Sequence, residues 1–152
     1  MKSIDIIVPC YNEESNVDHF YEEVKKVEKN VKIGSKIPFH FIYVDDGSTD
    51  HTLMRIKDLS KKHKEVSFIS FSRNFGKEAA ICAGLEKSKA DYTVLIDIDM
   101  QDPPSLLPDM IKNVVKEGYD ACGTYRMSRD GEPILRSFFA NIFYKLIDMI
   151  SK

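Results

Sequence analysis

Short apolar runs alternate with longer mixed segments along the 152-residue chain. The runs are rich in β-branched and aromatic residues, which is typical of buried strands. We predict strands at Ile4–Pro9, Phe39–Val44, Val66–Phe71 and Tyr92–Ile96, with Asp120–Tyr125 as a candidate fifth. The predicted helices are Glu14–Asn30, Asp50–His63, Gly76–Ser88, Pro104–Glu117 and Pro133–Ile150, and Lys32–Lys36 is predicted to be a loop. This alternation predicts an α/β fold with a mainly parallel sheet.

The last predicted helix, Pro133–Ile150, has a broad apolar face. That face comprises Ile134, Phe138, Phe139, Ile142, Phe143, Leu146, Ile147 and Ile150. A face of this width is typical of a helix that packs on a hydrophobic core, and its covering partner would then come from sequence beyond residue 152. The alternative is a helix that lies in a membrane interface. The apolar pattern leaves both interpretations open.

Composition narrows the class of protein. A length of 152 residues fits about one domain, and a net charge of −2 argues against a nucleic-acid partner. Cys10, Cys82 and Cys122 are widely spaced and odd in number, so we expect reduced thiols in a cytosolic compartment rather than disulfides or a zinc site. We expect no signal peptide, because Asp5 interrupts the first apolar run, and no run has membrane-spanning length.

Two carboxylates and an amide follow the fourth predicted strand, in the segment Asp97-Ile98-Asp99-Met100-Gln101. Ligands bind at the carboxyl ends of strands in open α/β sheets. Two carboxylates this close repel each other unless a cation lies between them, and oxygen ligands suit Mg²⁺ or Mn²⁺. The alternative is a structural turn in which Asp102 caps the next helix. The pair alone does not decide between the two.

A polar cluster follows each of the four strands. The clusters are Pro9–Glu14, Asp45–Asp50, Ser72–Glu78 and Asp97–Gln101. Because parallel strands bring their carboxyl ends to one edge of a sheet, we expect the clusters to meet there. One pocket at that edge could hold a sugar nucleotide, a base or a metal–phosphate group.

Single side chains in these clusters have two interpretations each. Asp45 and Asp46 suit hydrogen bonds from a base N–H or a ribose hydroxyl, whereas Gly47 and the residues after it fit a tight turn, and we expect both. Tyr11 could stack on a base or simply pack. Arg73 and Lys77 could pair with phosphates or lie solvated in a loop.

Arg126, Arg129 and Arg136 follow the candidate fifth strand. Guanidinium groups bind phosphates bidentately, although surface solubility explains such arginines equally well. The histidines show no metal-ligand or triad spacing. The sequence also lacks a Walker A loop and a G-x-G-x-x-G fingerprint, which argues against an NTPase and against a nicotinamide or flavin enzyme.

Together the clusters resemble the motifs of the family 2 inverting glycosyltransferases with the GT-A fold. Within that family the chain is most similar to the polyprenyl-phosphate hexosyltransferases, meaning dolichol-phosphate mannose synthases and bactoprenol glucosyltransferases. The matching segments are Ile7–Glu14, Val44–Asp50, Ser72–Ala80 and Asp97–Pro104. They span nearly the whole chain in the expected order, and Ile98 and Met100 replace the family's more usual alanine and leucine.

The resemblance implies a GT-A fold, an α/β, Rossmann-like, mainly parallel sheet flanked by helices, and a role for each candidate. It implies that Mg²⁺ or Mn²⁺ on the donor diphosphate is held by Asp97, Asp99 and Gln101. The implied donor-binding set is Pro9, Tyr11, Asn12, Glu13, Asp45, Asp46, Arg73, Lys77 and Asp97, of which Pro9, Tyr11, Glu13, Asp45 and Asp46 hold the nucleoside. The implied catalytic set is Asp99, Arg126 and Arg136, with Arg129 as a further phosphate contact.

The resemblance also implies the partners. They are a UDP-sugar or GDP-sugar donor, a polyprenyl phosphate acceptor and a membrane surface; homo-oligomerisation is left open. Residues 1–125 would form the nucleotide-sugar-binding part, and residues 126–152 would begin the acceptor side, with the last helix against the membrane. The chain would be a truncated part of a protein anchored at the cytoplasmic face of a membrane. Because a lipid phosphate is already ionised at neutral pH, inverting attack by it needs no strong general base.

Two alternatives compete with a transferase. A haloacid-dehalogenase-like phosphohydrolase also carries Asp-x-Asp after an apolar strand, but it needs threonine or valine where this chain has Gln101. Its motif also lies near the N-terminus, whereas three strand–helix units come first here. The other alternative is a nucleotide-binding fragment without transfer activity.

Overall fold

The computed structural model describes residues 2–33 and 35–124. In chain order the elements are β1 (Ile4–Cys10), α1 (Val17–Asn30), β2 (Lys32–Ile33), β3 (Ser35–Lys36), β4 (Phe39–Asp45), α2 (Thr52–Lys62), β5 (Val66–Ser70), α3 (Lys77–Lys87), β6 (Tyr92–Leu95) and α4 (Leu107–Val115), the last preceded by a 3₁₀ turn at Pro104–Leu106. The predicted strands that correspond to β1, β4, β5 and β6 are confirmed to within a few residues at each end. The predicted helices that correspond to α1, α2, α3 and α4 are confirmed to the same extent.

The four longer strands form one parallel sheet in the order β5-β4-β1-β6. Strand β1 lies between β4 and β6, so that Ile7 is opposite Ile42 on one side and Leu95 on the other. Strands β1 and β4 are almost wholly buried, because helices pack on both faces of the sheet. The predicted α/β fold with a mainly parallel sheet is therefore confirmed.

Most of the hydrophobic core lies between one face of the sheet and helices α1, α2 and α4. There Phe20 of α1 meets Tyr43 of β4 edge-on, with ring centroids 6.4 Å apart. On the other face α3 lies directly against β1, since a Cβ added at Gly84 would stand 2.4 Å from Cγ2 of Ile7. Helix α3 runs back across the sheet from the carboxyl edge, so its first residues lie where the candidate chemistry is expected.

Two secondary-structure predictions are wrong, one of a strand and one of a loop. Residues 120–124 of the candidate fifth strand form no strand. They are small or polar and include Gly123, so they offer a sheet little side chain to pack. The predicted loop Lys32–Lys36 instead contains β2 and β3, which pair antiparallel.

Several predictions lie outside the described residues. They are the helix Pro133–Ile150 and the three arginines Arg126, Arg129 and Arg136. The division of the chain at residue 125 likewise stays a prediction. No helix in the described part of the chain is long and apolar enough to cross a membrane.

Asp5 fastens the end of α3 at the amino edge of the sheet. Its carboxylate is buried and accepts hydrogen bonds from the Ser88 hydroxyl and from the backbone N–H groups of Lys89 and Ala90, at 2.8, 2.8 and 3.1 Å. Burial acts to raise the pKa of Asp5, but these bonds and one from His40 outweigh it and hold the pKa below its ordinary value.

We expect Asp5→Asn to lower the free energy of unfolding at neutral pH by about 2 kcal/mol, because the amide places an N–H₂ group among donors. The folded-state pKa of Asp5 is depressed, so its contribution is complete above the unfolded pKa and is lost as the pH falls through the folded pKa. The difference from wild type should therefore shrink below about pH 4. Urea unfolding at several pH values measures it, with the exposed Asp120→Asn as control; a difference that does not change with pH would contradict the argument.

Candidate functional site

A cavity of about 350 Å³ lies at the carboxyl edge of the sheet. Each of the four polar clusters predicted from the sequence contributes to its wall. The lining residues are Pro9, Cys10, Tyr11, Glu13, Asp46, Asn74, Gly76, Lys77, Ala80, Asp97, Ile98 and Asp99. The parallel topology thus brings together segments that are far apart in the chain, as the sequence predicts.

The wall includes most, but not all, of the described candidate residues. Those that do not line it are Asn12, Asp45, Arg73 and Gln101. The lining residues that sequence reasoning did not select are Cys10, Asn74, Gly76, Ala80 and Ile98. Each of these lies next to a selected residue or one helical turn from it. Their closeness in sequence to the selected residues is therefore the feature from which they could have been predicted.

Asn12 joins the loop after β1 to the loop after β4. Its backbone N–H donates to Oγ of Ser48 at 3.0 Å, and its Oδ1 accepts from the backbone N–H of Thr49 at 2.8 Å. Its φ of 56° lies in the left-handed region, which asparagine tolerates better than most residues. Asn12 therefore shapes the cavity without lining it.

Asp46 holds the start of α3. Its side chain is buried, and its two oxygens accept the backbone N–H groups of Phe75 at 2.7 Å and Gly76 at 3.0 Å. Asp45 is buried as well and accepts from the backbone N–H of Ser48 and from the Ser70 hydroxyl, both at 3.2 Å. Asp45 thus braces the turn that follows it, whereas Asp46 ties this loop to the loop after β5 and lines the cavity. The predicted binding role of the pair stays a prediction.

Gly47 allows the loops after β4 and β5 to touch. Its φ of +68° is in the left-handed region, and a Cβ there would stand 2.2 Å from the backbone carbonyl carbon of Arg73. The Arg73 guanidinium lies over the ring of Phe75, 4.8 Å from the ring centroid. This places Arg73 beside the cavity and directs its charge onto an aromatic face.

Lys77 and Asp97 form an ion pair in the cavity wall, with Nζ 2.6 Å from Oδ2. Lys77 is the first residue of α3, and Asp97 follows β6. Both side chains are partly exposed, so solvent screens their attraction. The pair sets a positive and a negative charge side by side where a phosphate-bearing ligand is predicted to bind.

The segment after β6 forms a tight bend at Met100, whose φ of 61° is in the left-handed region. The bend lets the backbone N–H of Gln101 donate to Oδ1 of Asp99 at 3.0 Å and leaves Asp99 exposed at the cavity. Asp97 and Asp99 thus supply carboxylate oxygens to one wall. Mg²⁺ and Mn²⁺ accept such a site, because they commonly bind one or two protein carboxylates and complete their coordination with water and substrate phosphates.

Cys10 lines the cavity but does not supply a nucleophile. Burial raises the pKa of its thiol well above the ordinary value, and the nearby carboxylates of Asp45 and Glu13 raise it further. The thiol is therefore neutral at physiological pH, whereas thiol chemistry requires the thiolate. Cys10, Cys82 and Cys122 are all free, as predicted.

The chain is similar to known proteins along almost its whole length. Residues 5–148 match the model of a family described as Glycosyl transferase family 2. The putative glycosyltransferase CsbB of Bacillus subtilis is 43% identical over 145 residues, which cover 95% of this chain and 42% of that protein. A prophage bactoprenol glucosyl transferase homolog of Escherichia coli is 35% identical over 148 residues, covering 97% of this chain and 47% of that protein. The chain spans less than half the length of these two curated relatives.

Solved structures share the fold. The mannosyltransferase PcManGT from Pyrobaculum calidifontis, determined in complex with GDP-Man and Mn²⁺, superposes with a TM-score of 0.60 at 20% identity. The match covers 73% of this chain and 32% of that one. The predicted GT-A fold is therefore confirmed.

Proposed function

The chain belongs to glycosyl transferase family 2, and from this premise we propose that it forms the donor-binding part of an enzyme that transfers a hexose to a polyprenyl phosphate. The observation that carries the proposal is the cavity that Asp97, Asp99 and Lys77 line together with residues of the loop after β1. Relatives named as bactoprenol glucosyl transferases support a lipid-phosphate acceptor. Membership of this family does not favour the phosphohydrolase alternative.

In this proposal the loop after β1 holds the nucleoside of a UDP-sugar or GDP-sugar. Tyr11 is 46% exposed at the cavity, so its ring is available for stacking on a base. Pro9 and Glu13 line the same cavity. The carboxylate of Glu13 accepts a hydrogen bond from the side-chain N–H₂ of Asn16 at 2.7 Å, which fixes the orientation of the Glu13 side chain. Asp46, which also lines the cavity, and the neighbouring Asp45 would complete the nucleoside site.

Asp97 and Asp99 would hold Mg²⁺ or Mn²⁺, with Gln101 beside them. Bound there, the ion would act as a Lewis acid that neutralises charge on the departing nucleoside diphosphate. The two side chains line the same cavity as the nucleoside loop, so they would orient the donor diphosphate as well. Lys77 and Arg73 would add positive charge for the same phosphates.

The acceptor side completes the proposed reaction. A lipid phosphate is anionic at neutral pH and would attack the anomeric carbon directly, with inversion and without a strong general base. Arg126 and Arg136, with Arg129 nearby in sequence, would position the donor and acceptor phosphates against their mutual repulsion. The helix predicted at Pro133–Ile150 would lie at the cytoplasmic face of a membrane, where such an acceptor is found.

A second candidate, a nucleotide-binding fragment without transfer activity, is favoured by one observation. The chain spans 42% of one relative and 47% of another, so catalytic groups of the whole protein can lie in the part that is not matched. In both candidates residues 1–125 bind the donor nucleotide. Transfer to a polyprenyl phosphate by the purified chain would exclude the second candidate.

Calorimetric titration of UDP and of GDP, each with Mn²⁺ and then with EDTA, tests the donor site. We expect one of the two nucleotides to bind, and its affinity to fall by about tenfold or more in EDTA, because Asp97 and Asp99 would hold the ion that neutralises the diphosphate. CDP serves as the control for base recognition. Binding of neither nucleotide, or binding that EDTA leaves unchanged, would contradict the proposal.

A further inference from the structure

The Lys77–Asp97 ion pair lies where the proposed function requires a divalent ion, and the inference that follows rests on that function. Nζ of Lys77 is 2.6 Å from Oδ2 of Asp97, within the wall that also contains Asp99. In the described part of the chain, Lys77 is the lysine that lines the cavity. One of the two carboxylates proposed to hold the metal is thus already paired with a cation supplied by the protein.

An ammonium group and a divalent ion cannot both approach one carboxylate group closely without repelling each other. Metal binding at Asp97 would therefore weaken the Lys77–Asp97 pair and favour departure of Nζ of Lys77. Because the pair is partly exposed, the attraction between Lys77 and Asp97 is moderate. The pair therefore weakens metal binding at Asp97 but does not prevent it.

The backbone just before Lys77 is held by a buried carboxylate, whereas the Lys77 side chain is partly exposed. The preceding residue, Gly76, donates its backbone N–H to Asp46, and that carboxylate is buried. Lys77 is 53% exposed in its side chain and has four rotatable bonds, so Nζ can leave Asp97 and still reach the space inside the cavity. A diphosphate in that space would give the displaced ammonium group a new anionic partner.

We propose that Lys77 is an internal counter-cation of Asp97, which makes the divalent ion bind well only together with the donor diphosphate. Without nucleotide, an ion held by Asp97 would weaken the Lys77–Asp97 pair, and Nζ of Lys77 would gain no new anionic partner. With nucleotide, the same movement forms a Lys77–phosphate pair. Metal and nucleotide binding are then coupled, and by thermodynamic linkage each strengthens the other equally.

The test is Mn²⁺ binding without nucleotide, followed by Mn²⁺ binding with saturating UDP or GDP, measured by electron paramagnetic resonance. We expect Lys77→Met to bind Mn²⁺ alone about three- to tenfold more tightly than wild type, because a neighbouring positive charge is gone. The same variant should show a smaller gain in Mn²⁺ affinity when nucleotide is added. Lys77→Arg keeps the charge and should resemble wild type in Mn²⁺ binding alone.

Lys87→Met is the matched control. It makes the same change of charge in the same helix, because Lys87 is the last residue of α3. Lys87 does not line the cavity. If Lys77→Met and Lys87→Met affect Mn²⁺ binding alone equally, or if neither affects it, the inference is overturned while the donor site stands. If neither UDP nor GDP binds wild type with Mn²⁺, the proposed function itself fails, and the inference fails with it.

Discussion

Replacing Asp99 with alanine is expected to lower the Mn²⁺-dependent affinity for nucleoside diphosphate by about tenfold or more, since changes to groups that merely support a metal ligand already cost ten- to a hundredfold. Asp99 is one of two carboxylates in the cavity wall beyond β6. Without it, Asp97 alone faces the ion, and Asp97 is already paired with Lys77. Titration of the variant with UDP or GDP should give the affinity that wild type shows in EDTA.

The variant should remain folded, which makes the result interpretable. Asp99 is exposed, and the contact it makes with the protein is a hydrogen bond from the backbone N–H of Gln101. Asp120→Ala removes an exposed carboxylate that does not line the cavity, and it should leave nucleotide binding unchanged. Undiminished Mn²⁺-dependent binding by the Asp99 variant would refute the assignment of the metal to this pair.

The strands could be predicted because β1 and β4 are buried on both faces and therefore appear as continuous apolar runs. The edge position of the polar clusters followed from the parallel order alone. The segment after residue 119 could not be predicted in the same way, because strand formation depends on a partner and on packing that short sequence patterns do not specify.

The detailed contacts of the site could not be predicted from the sequence, because they depend on the tertiary fold. A turn at Gly47 could be predicted, but the partners of Asp46 are the N–H groups of Phe75 and Gly76, which only the fold brings near. The pairing of Lys77 with Asp97 likewise depends on α3 beginning at the edge where β6 ends. Even the left-handed residue Met100 carries no local signal, since methionine is not a residue type favoured there.

The contact between the loops after β4 and β5 leads to the largest expected effect on stability. Gly47 approaches the backbone of Arg73 and Asn74 so closely that its added Cβ would stand 2.2 and 2.6 Å from their atoms. These are backbone atoms, and the segment just beyond them is fixed by the two hydrogen bonds to Asp46. Neither side can move without loosening the start of α3, where Lys77 lies.

Gly47→Ala is therefore expected to lower the free energy of unfolding by about 3 kcal/mol or more, from the left-handed φ and the overpacking together. Thermal unfolding should show a fall in Tm of about 10 °C. Nucleotide binding should weaken as well, because Asn74, Gly76 and Lys77 line the cavity. Differential scanning calorimetry and the UDP and GDP titrations measure the two effects separately.

Gly118→Ala is the control that separates the cost of the left-handed backbone from the cost of the steric clash at Gly47. Gly118 has a comparable φ of +77°, but a Cβ there would meet nothing within 4 Å. Its replacement should cost only the left-handed term, about 1–2 kcal/mol, and should leave nucleotide binding intact. If the two variants lose equal stability, the loops have moved apart to admit the new methyl group, and the close contact at Gly47 does not fix the cavity wall. If Gly47→Ala alone loses both stability and nucleotide affinity, that contact positions the donor site.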